Sequence, residues 1–114
     1  MENKVVLITG STSGIGLGIA KNFAVNKARL IINGFASAEL VIEVTKELKN
    51  LGATDVFYHN ADLSRPEEIK DMFDKILIQF GRVDILVNNA GIQHVSPIDE
   101  FPAEKWEAII RIDL

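Results

Sequence analysis

The stretch "VVLITGSTSGIG", Val5 to Gly16, sets an apolar run directly against a loop with glycines at 10, 14 and 16. Four consecutive apolar residues within Lys4 to Thr9 read as a strand covered on both faces. A helix is predicted from near Gly14, with Ile15, Ile19 and Phe23 forming one apolar stripe beside Ala20 and Ala24. A loop between a strand's carboxyl end and a helix start exposes unpaired backbone N–H groups at the positive end of the helix dipole. Glycine there permits positive φ and the close approach of a phosphate. Ser11, Thr12 and Ser13 add hydroxyl donors. The spacing is Gly-x-x-x-Gly-x-Gly, and no Gly-Lys-Ser/Thr follows, so this is not a Walker loop. Taken alone, the glycines also fit a tight turn that holds no ligand.

Working outward, "ARLIIN" (Ala28 to Asn33) is a second buried strand. Ser37 is placed to cap a helix with Leu40, Val44, Leu48 and Leu51 on one face, and Gly52 ends it. "TDVFYH" (Thr54 to His59) is a third strand. "SRPE" follows as a capping box of Ser64 and Glu67, opening a helix that buries Ile69, Met72, Phe73, Ile76 and Phe80 and stops at Gly81. "VDILVN" (Val83 to Asn88) is a fourth strand. A helix from about Pro102 completes the set, with Trp106, Ile109 and Ile110 on its apolar side.

The alternation βαβαβαβα predicts an α/β domain over residues 1–114, with a doubly wound parallel sheet in the order 3-2-1-4 and helices on both faces. Ligands of such sheets lie beyond the carboxyl ends of the strands. No fifth strand is read after the fourth, whose open apolar edge predicts self-association.

The bulk composition excludes several functions. The 114 residues carry 12 Lys+Arg against 16 Asp+Glu, a net charge of −4, without a basic stripe, so neither nucleic acid nor an anionic membrane is an expected partner. There is no cysteine, and His59 and His94 match no zinc spacing, so no metal site is expected. The N-terminal apolar run is too short for a signal peptide, and a cytoplasmic location is expected. His59 and Trp106 read as a surface and a core residue.

The remaining strand ends fill in the site. "NGF" (Asn33 to Phe35) holds neither an acid for a ribose hydroxyl nor a cation for a 2′-phosphate, and Arg29 stands roughly 13 Å away at the other end of its strand. This favours NAD over NADP. In "ADL", Asp62 can accept from the amino group of adenine beside Leu63, or can simply turn the loop. In "NNAG", Asn88 and Asn89 can bond neighbouring backbone, and Ala90 and Gly91 leave room for a sugar ring.

Together, "TGSTSGIG", "ADL" and "NNAG" in this order resemble the short-chain dehydrogenases/reductases over the whole chain. "NGF" and "NNAGIQHVSPIDEF" are most similar to the branch of NAD-dependent 3-hydroxybutyrate dehydrogenases. The resemblance implies a Rossmann-like fold, NAD as cofactor and a small hydroxy acid or ketone as substrate. It places Gly10, Thr12, Gly14, Ile15 and Gly16 along the cofactor phosphates and ribose. Phe35 falls by the adenosine ribose, Asp62 and Leu63 by adenine, Asn89, Ala90 and Gly91 by the nicotinamide ribose, and Ile112 by the adenosine half. Gln93 matches a position that contacts the substrate carboxylate. His94 reads more simply as a loop residue.

The family's chemistry uses a tyrosine with a lysine four residues later, a serine, and an asparagine on the fourth helix. Here the single tyrosine, Tyr58, is followed at that distance by Asp62, and Asp113 stands at the asparagine position. The expectation is an N-terminal, cofactor-binding portion of a longer fold, inactive alone, whose remainder is either a separate C-terminal polypeptide or has been cut away. An inactive remnant and a stand-alone nucleotide-binding module are the alternatives.

Overall fold

The structure, a computed structural model, describes residues 2–89 and 110–113. Its elements are β1 (Val5–Ile8), α1 (Gly14–Val25), β2 (Arg29–Asn33), α2 (Ala38–Leu51), β3 (Asp55–His59), α3 (Pro66–Phe80), β4 (Ile85–Asn88) and β5 (Ile110–Asp113). All strands are parallel, in the order β3-β2-β1-β4-β5. The expected 3-2-1-4 arrangement is present, extended by one strand.

The apolar runs are continuous because both faces of the sheet are covered. Side chains alternate across a strand. Val6, Ile8, Leu30 and Ile32 pack with Ala20, Ala24, Val44 and Leu48 of α1 and α2. Val5, Leu7, Ile31 and Leu86 pack with Ile69, Met72, Phe73 and Ile76 of α3. β1 is wholly buried between its neighbours, so the chain that enters the glycine loop leaves from the most constrained place in the molecule.

Four local expectations are corrected. In α1 the face on the sheet is Gly16, Ala20 and Ala24, while Ile15 is 77% exposed. Small residues at every fourth position let the helix lie close to β1, and Ile15, about 100° away round the helix, turns toward the loop mouth. In α2, Ser37 caps as expected, accepting from the Leu40 N–H at 3.1 Å, but Leu51 at the last position is exposed. In α3 the capping box does not form. Pro66 opens the helix, which makes Arg65 the cap residue. The Ser64 hydroxyl is instead drawn to Asp62 Oδ1 at 2.7 Å, and Glu68 rather than Glu67 reaches back, to the Asp62 N–H at 2.9 Å.

The fourth correction concerns the chain end. Residues 102–109, where a helix was expected, lie outside the described residues, but Ile110 belongs to a strand. β5 pairs with β4 through Ile85↔Ile110 to Asn88↔Asp113, so the edge of β4 expected to be open is covered. Among the described residues no helix is long and apolar enough to cross a membrane.

At the amino ends of the strands, Asp84 ties the start of β1 to the approach to β4. Its Oδ2 accepts from the Val5 N–H at 2.8 Å and from Arg82 Nε at 2.9 Å. Burial pushes its pKa up, but the bonds from Val5 and Arg82 outweigh that and hold the carboxyl below the ordinary carboxylate range. A depressed pKa stabilises the fold above the unfolded-state value, near ~3.9, and the gain is lost as pH falls through the lower folded value. Asp84→Ala is therefore expected to cost about 1–3 kcal/mol at pH 7. Urea unfolding should show the gap between variant and parent narrowing once the pH drops below about 4.

Candidate functional site

Beyond the carboxyl ends of the strands lies a cleft of about 440 Å³. The β1–α1 loop contributes Gly10, Thr12 and Ser13. The end of β2 gives Asn33, Gly34 and Phe35. The β3–α3 loop supplies Ala61, Asp62, Leu63 and Ser64, and the end of β4 gives Asn89.

The floor of the cleft is stitched together by Asn33, only 2% exposed. Its Nδ2 donates to the carbonyls of His59 and Ala61 at 3.1 and 3.0 Å, and its Oδ1 accepts from the Gly10 N–H at 3.4 Å. Its backbone exchanges bonds with Ser11: the Ser11 N–H donates to the Asn33 carbonyl at 2.7 Å, and the Asn33 N–H donates to Ser11 Oγ at 3.0 Å. On the other side, Asn89 donates through its N–H to Thr9 Oγ1 at 3.0 Å and through Nδ2 to the Gly10 carbonyl at 3.1 Å. The loop is thus fixed from β2 and β4 together.

Of the residues expected to bind the cofactor, Gly10, Thr12, Phe35, Asp62, Leu63 and Asn89 line the cleft. Gly14, Ile15 and Gly16 do not. Gly14 is exposed at φ 59° and begins α1, and Ile15 stands out beside it. Gly16 faces inward as a packing contact, where a Cβ would run into the Gly10 carbonyl oxygen and lie 2.6 Å from Asn89 Nδ2. Ala90, Gly91, Gln93, His94 and Trp106 lie outside the described residues. Ile112 and Asp113 fall on β5, in register with Val87 and Asn88, so Asp113 is at a strand position rather than on a helix.

Several residues at the site escaped the sequence reading. Asn33 was noticed only for lacking charge, although a carboxamide closing the buried run "RLII" is itself a sign that the strand end has bonds to make. His59 is 9% exposed rather than a surface residue, with Nε2 at 3.0 Å from Asp71 Oδ2. That bond first, then one from Lys75, holds the Asp71 carboxyl below its ordinary range. Tyr58 donates to the Gly34 carbonyl at 2.6 Å, and a Cβ on Gly34 would sit 2.5 Å from Thr12 Oγ1.

The electrostatics of the three helix starts differ. α2 is capped by Ser37 and followed by Glu39, and α3 begins with Glu67 and Glu68. α1 has no side-chain cap and no acid in its first turn. Its dipole and first N–H groups therefore remain available to an anion at the cleft. The Asp62 carboxylate turns its own loop, with Oδ1 accepting from Ser64 N–H at 2.9 Å and Oδ2 at 3.9 Å from Arg65 Nε. It is the one ionisable side chain lining the cleft among the described residues.

A cleft at the carboxyl ends of the strands of a 3-2-1-4 core narrows the kinship, and the sequence profile of the short chain dehydrogenases matches residues 4–114. The chain belongs to the short-chain dehydrogenase family. These oxidoreductases bind a nicotinamide cofactor and a substrate. Over its full length this dehydrogenase-family chain is 50% identical to D-beta-hydroxybutyrate dehydrogenase of Cupriavidus necator, covering 43% of that protein. It is 46% identical, over 97% of its length, to the protein of the same name from Rhizobium meliloti, again covering 43%. The chain thus spans less than half the length of these curated relatives. Among solved structures, L-sorbose reductase from Gluconobacter frateurii, complexed with NADPH and L-sorbose, superposes with a TM-score of 0.73 at 34% identity, covering 93% of this chain and 40% of that one. An NADH-dependent reductase complexed with NAD gives a TM-score of 0.73 at 30% identity, covering 79% of this chain and 37% of that one.

Gly16 and Gly18 of α1 have opposite surroundings. Gly16→Ala is expected to cost several kcal/mol, since the Gly10 backbone and the Asn89 carboxamide must both give way. Gly18→Ala meets nothing within 4 Å and should stabilise the helix by about 0.5–1 kcal/mol. Thermal melts of the two variants test this contrast. Asn33→Asp removes both donors to His59 and Ala61 and aims a carboxylate at two carbonyls. A loss of roughly 3 kcal/mol or more is expected in the same measurement.

Proposed function

We propose that the chain is the dinucleotide-binding, N-terminal portion of an NAD-dependent oxidoreductase that acts on 3-hydroxybutyrate or a similar small hydroxy acid. The observation that carries this reading is the cleft itself. The uncapped start of α1 and the hydroxyls of Thr12 and Ser13 suit a pyrophosphate, and the β3–α3 loop suits a flat base. Phe35, 77% exposed at the cleft mouth, suits the adenosine ribose. The substrate class is supported by the identity with the two D-beta-hydroxybutyrate dehydrogenases along the whole chain.

NAD is preferred to NADP because, among the described residues, no cation lines the cleft and Asp62 does. A phosphate dianion several Å from a carboxylate in a wet cleft costs on the order of 1 kcal/mol. Calorimetric titration should accordingly show NAD binding several-fold tighter than NADP, and equal affinities would contradict the preference.

Bound NAD supplies a hydride acceptor. The protein must then take the alcohol proton within hydrogen-bond reach. Tyr58 is committed to the Gly34 carbonyl on β3, and Asp62 lies on the adenine side. Neither stands where a hydroxy acid would react. Residues 1–114 alone are therefore expected to bind NAD without oxidising 3-hydroxybutyrate. An NADH-absorbance assay with the purified chain checks this, and turnover above background with no second polypeptide would contradict it.

A further inference from the structure

β3 reaches the cleft on two adjacent residues whose side chains point to opposite faces of the sheet. Tyr58 holds the Gly34 lip. His59 faces the other lip, which runs through Ala61, Asp62 and Leu63 into the cleft wall. Both ring nitrogens of His59 are used: Nδ1 lies 3.0 Å from the Ala61 nitrogen and Nε2 lies 3.0 Å from Asp71 Oδ2.

The tautomer follows from the partners. A backbone N–H can only donate, so Nδ1 must offer its lone pair to Ala61, and the ring proton sits on Nε2 and goes to Asp71. The His59 and Ala61 carbonyls are both held by Asn33 Nδ2, so the segment is pinned from one side by the imidazole and from the other by the carboxamide.

We propose that His59 is a positioning residue for the adenine side of the cleft: its neutral Nε2–H ring holds the Ala61–Leu63 lip, and protonation at Nδ1 releases that lip and weakens cofactor binding. This rests on the reading of the cleft as a dinucleotide site. A protonated ring sets two donors head to head across the 3.0 Å between Nδ1 and the Ala61 nitrogen, so either the ring or the lip must move. The surrounding charges are those of α3 and of the lip. Asp71 favours the protonated ring and is shared with Lys75 Nζ at 3.1 Å. Glu68 accepts from the Asp62 N–H at 2.9 Å, Asp62 accepts from Ser64, and Arg65 stands near both acids. From β2 the neutral Asn33 stands in register with His59 and donates to its carbonyl. Histidine is the side-chain type that changes charge between pH 5 and 8, while carboxylates titrate below that window and lysine above it.

The experiment follows the intact chain from pH 8 to pH 5 by two readouts. In NMR, the His59 ring nitrogens should report the Nε2–H tautomer at pH 8, and the Ala61 amide should lose its exchange protection factor as the ring protonates. In calorimetry, affinity for NAD should fall roughly two- to tenfold over the same range, the worth of one buried hydrogen bond. ADP-ribose, which keeps the adenine half and has no group of its own titrating there, should fall equally. His59→Asn retains an acceptor near the Nδ1 position and should bind with the parent's pH 8 affinity at every pH. His59→Phe should bind weakly and without pH dependence. An Ala61 protection factor unchanged between pH 8 and pH 5, or a pH dependence that persists in His59→Asn, would overturn the proposal. Failure to bind dinucleotide at any pH would overturn the cofactor reading instead, and Ala61 protection would still decide the role of His59.

Discussion

The carboxamide of Asn33 is the junction on which the carboxyl edge of the sheet depends. It is buried, and it joins the ends of β1, β2 and β3 through Gly10, His59 and Ala61. In a low-dielectric surrounding such a network is strong when complete and costly when one member is missing. No aliphatic residue can replace it, because the His59 and Ala61 carbonyls would lose the donor that satisfies them. The carboxamide also explains how a floor lined by backbone can be rigid without being apolar.

Rigidity there matters because, among the described helices, α1 is the one whose start is left bare. α2 and α3 neutralise their own N-termini with a serine or with acids. α1 has neither, and glycine packing at Gly16 holds its first turn against Gly10 and Asn89. The helix dipole is consequently presented at a fixed place and toward the cleft. Among the described residues the same edge carries Asp62 and no cation.

The element order and the central strand pairing were legible in sequence because continuous apolar runs and glycine stops are direct consequences of burial on both faces. Five of the cleft residues were legible from loop chemistry at the strand ends, and Phe35 through the family resemblance. What escaped was decided by competition between partners. Ser64 could cap a helix or bond Asp62, and only the position of Pro66 settles it. Ile15 and Gly16 are neighbours in an apolar pattern, and a periodicity count cannot tell which of them the sheet requires to be small. Asn33 reads as an ordinary polar residue because its bonds go to backbone far away in the chain, and His59 because its partners, the Ala61 N–H and the Asp71 carboxylate, meet it only once the β3–α3 turn is formed. The strand at Ile110–Asp113 was hidden because a short mixed run such as "IRID" fits helix and strand equally well.

The separation of the loop from its clamps has a temporal meaning. Thr9 and Gly10 are bonded by Asn89, some 80 residues later in the chain. Long-range closures of this kind come late, since chain entropy must be surrendered before they form. During synthesis the glycine loop emerges well before β4 and stays unshaped until β4 has docked beside β1. On the proposed reading, a dinucleotide would have nothing to grip before that docking and would not guide the early folding. Its influence would begin once the sheet is closed, when binding would draw the population toward a state the protein reaches unaided.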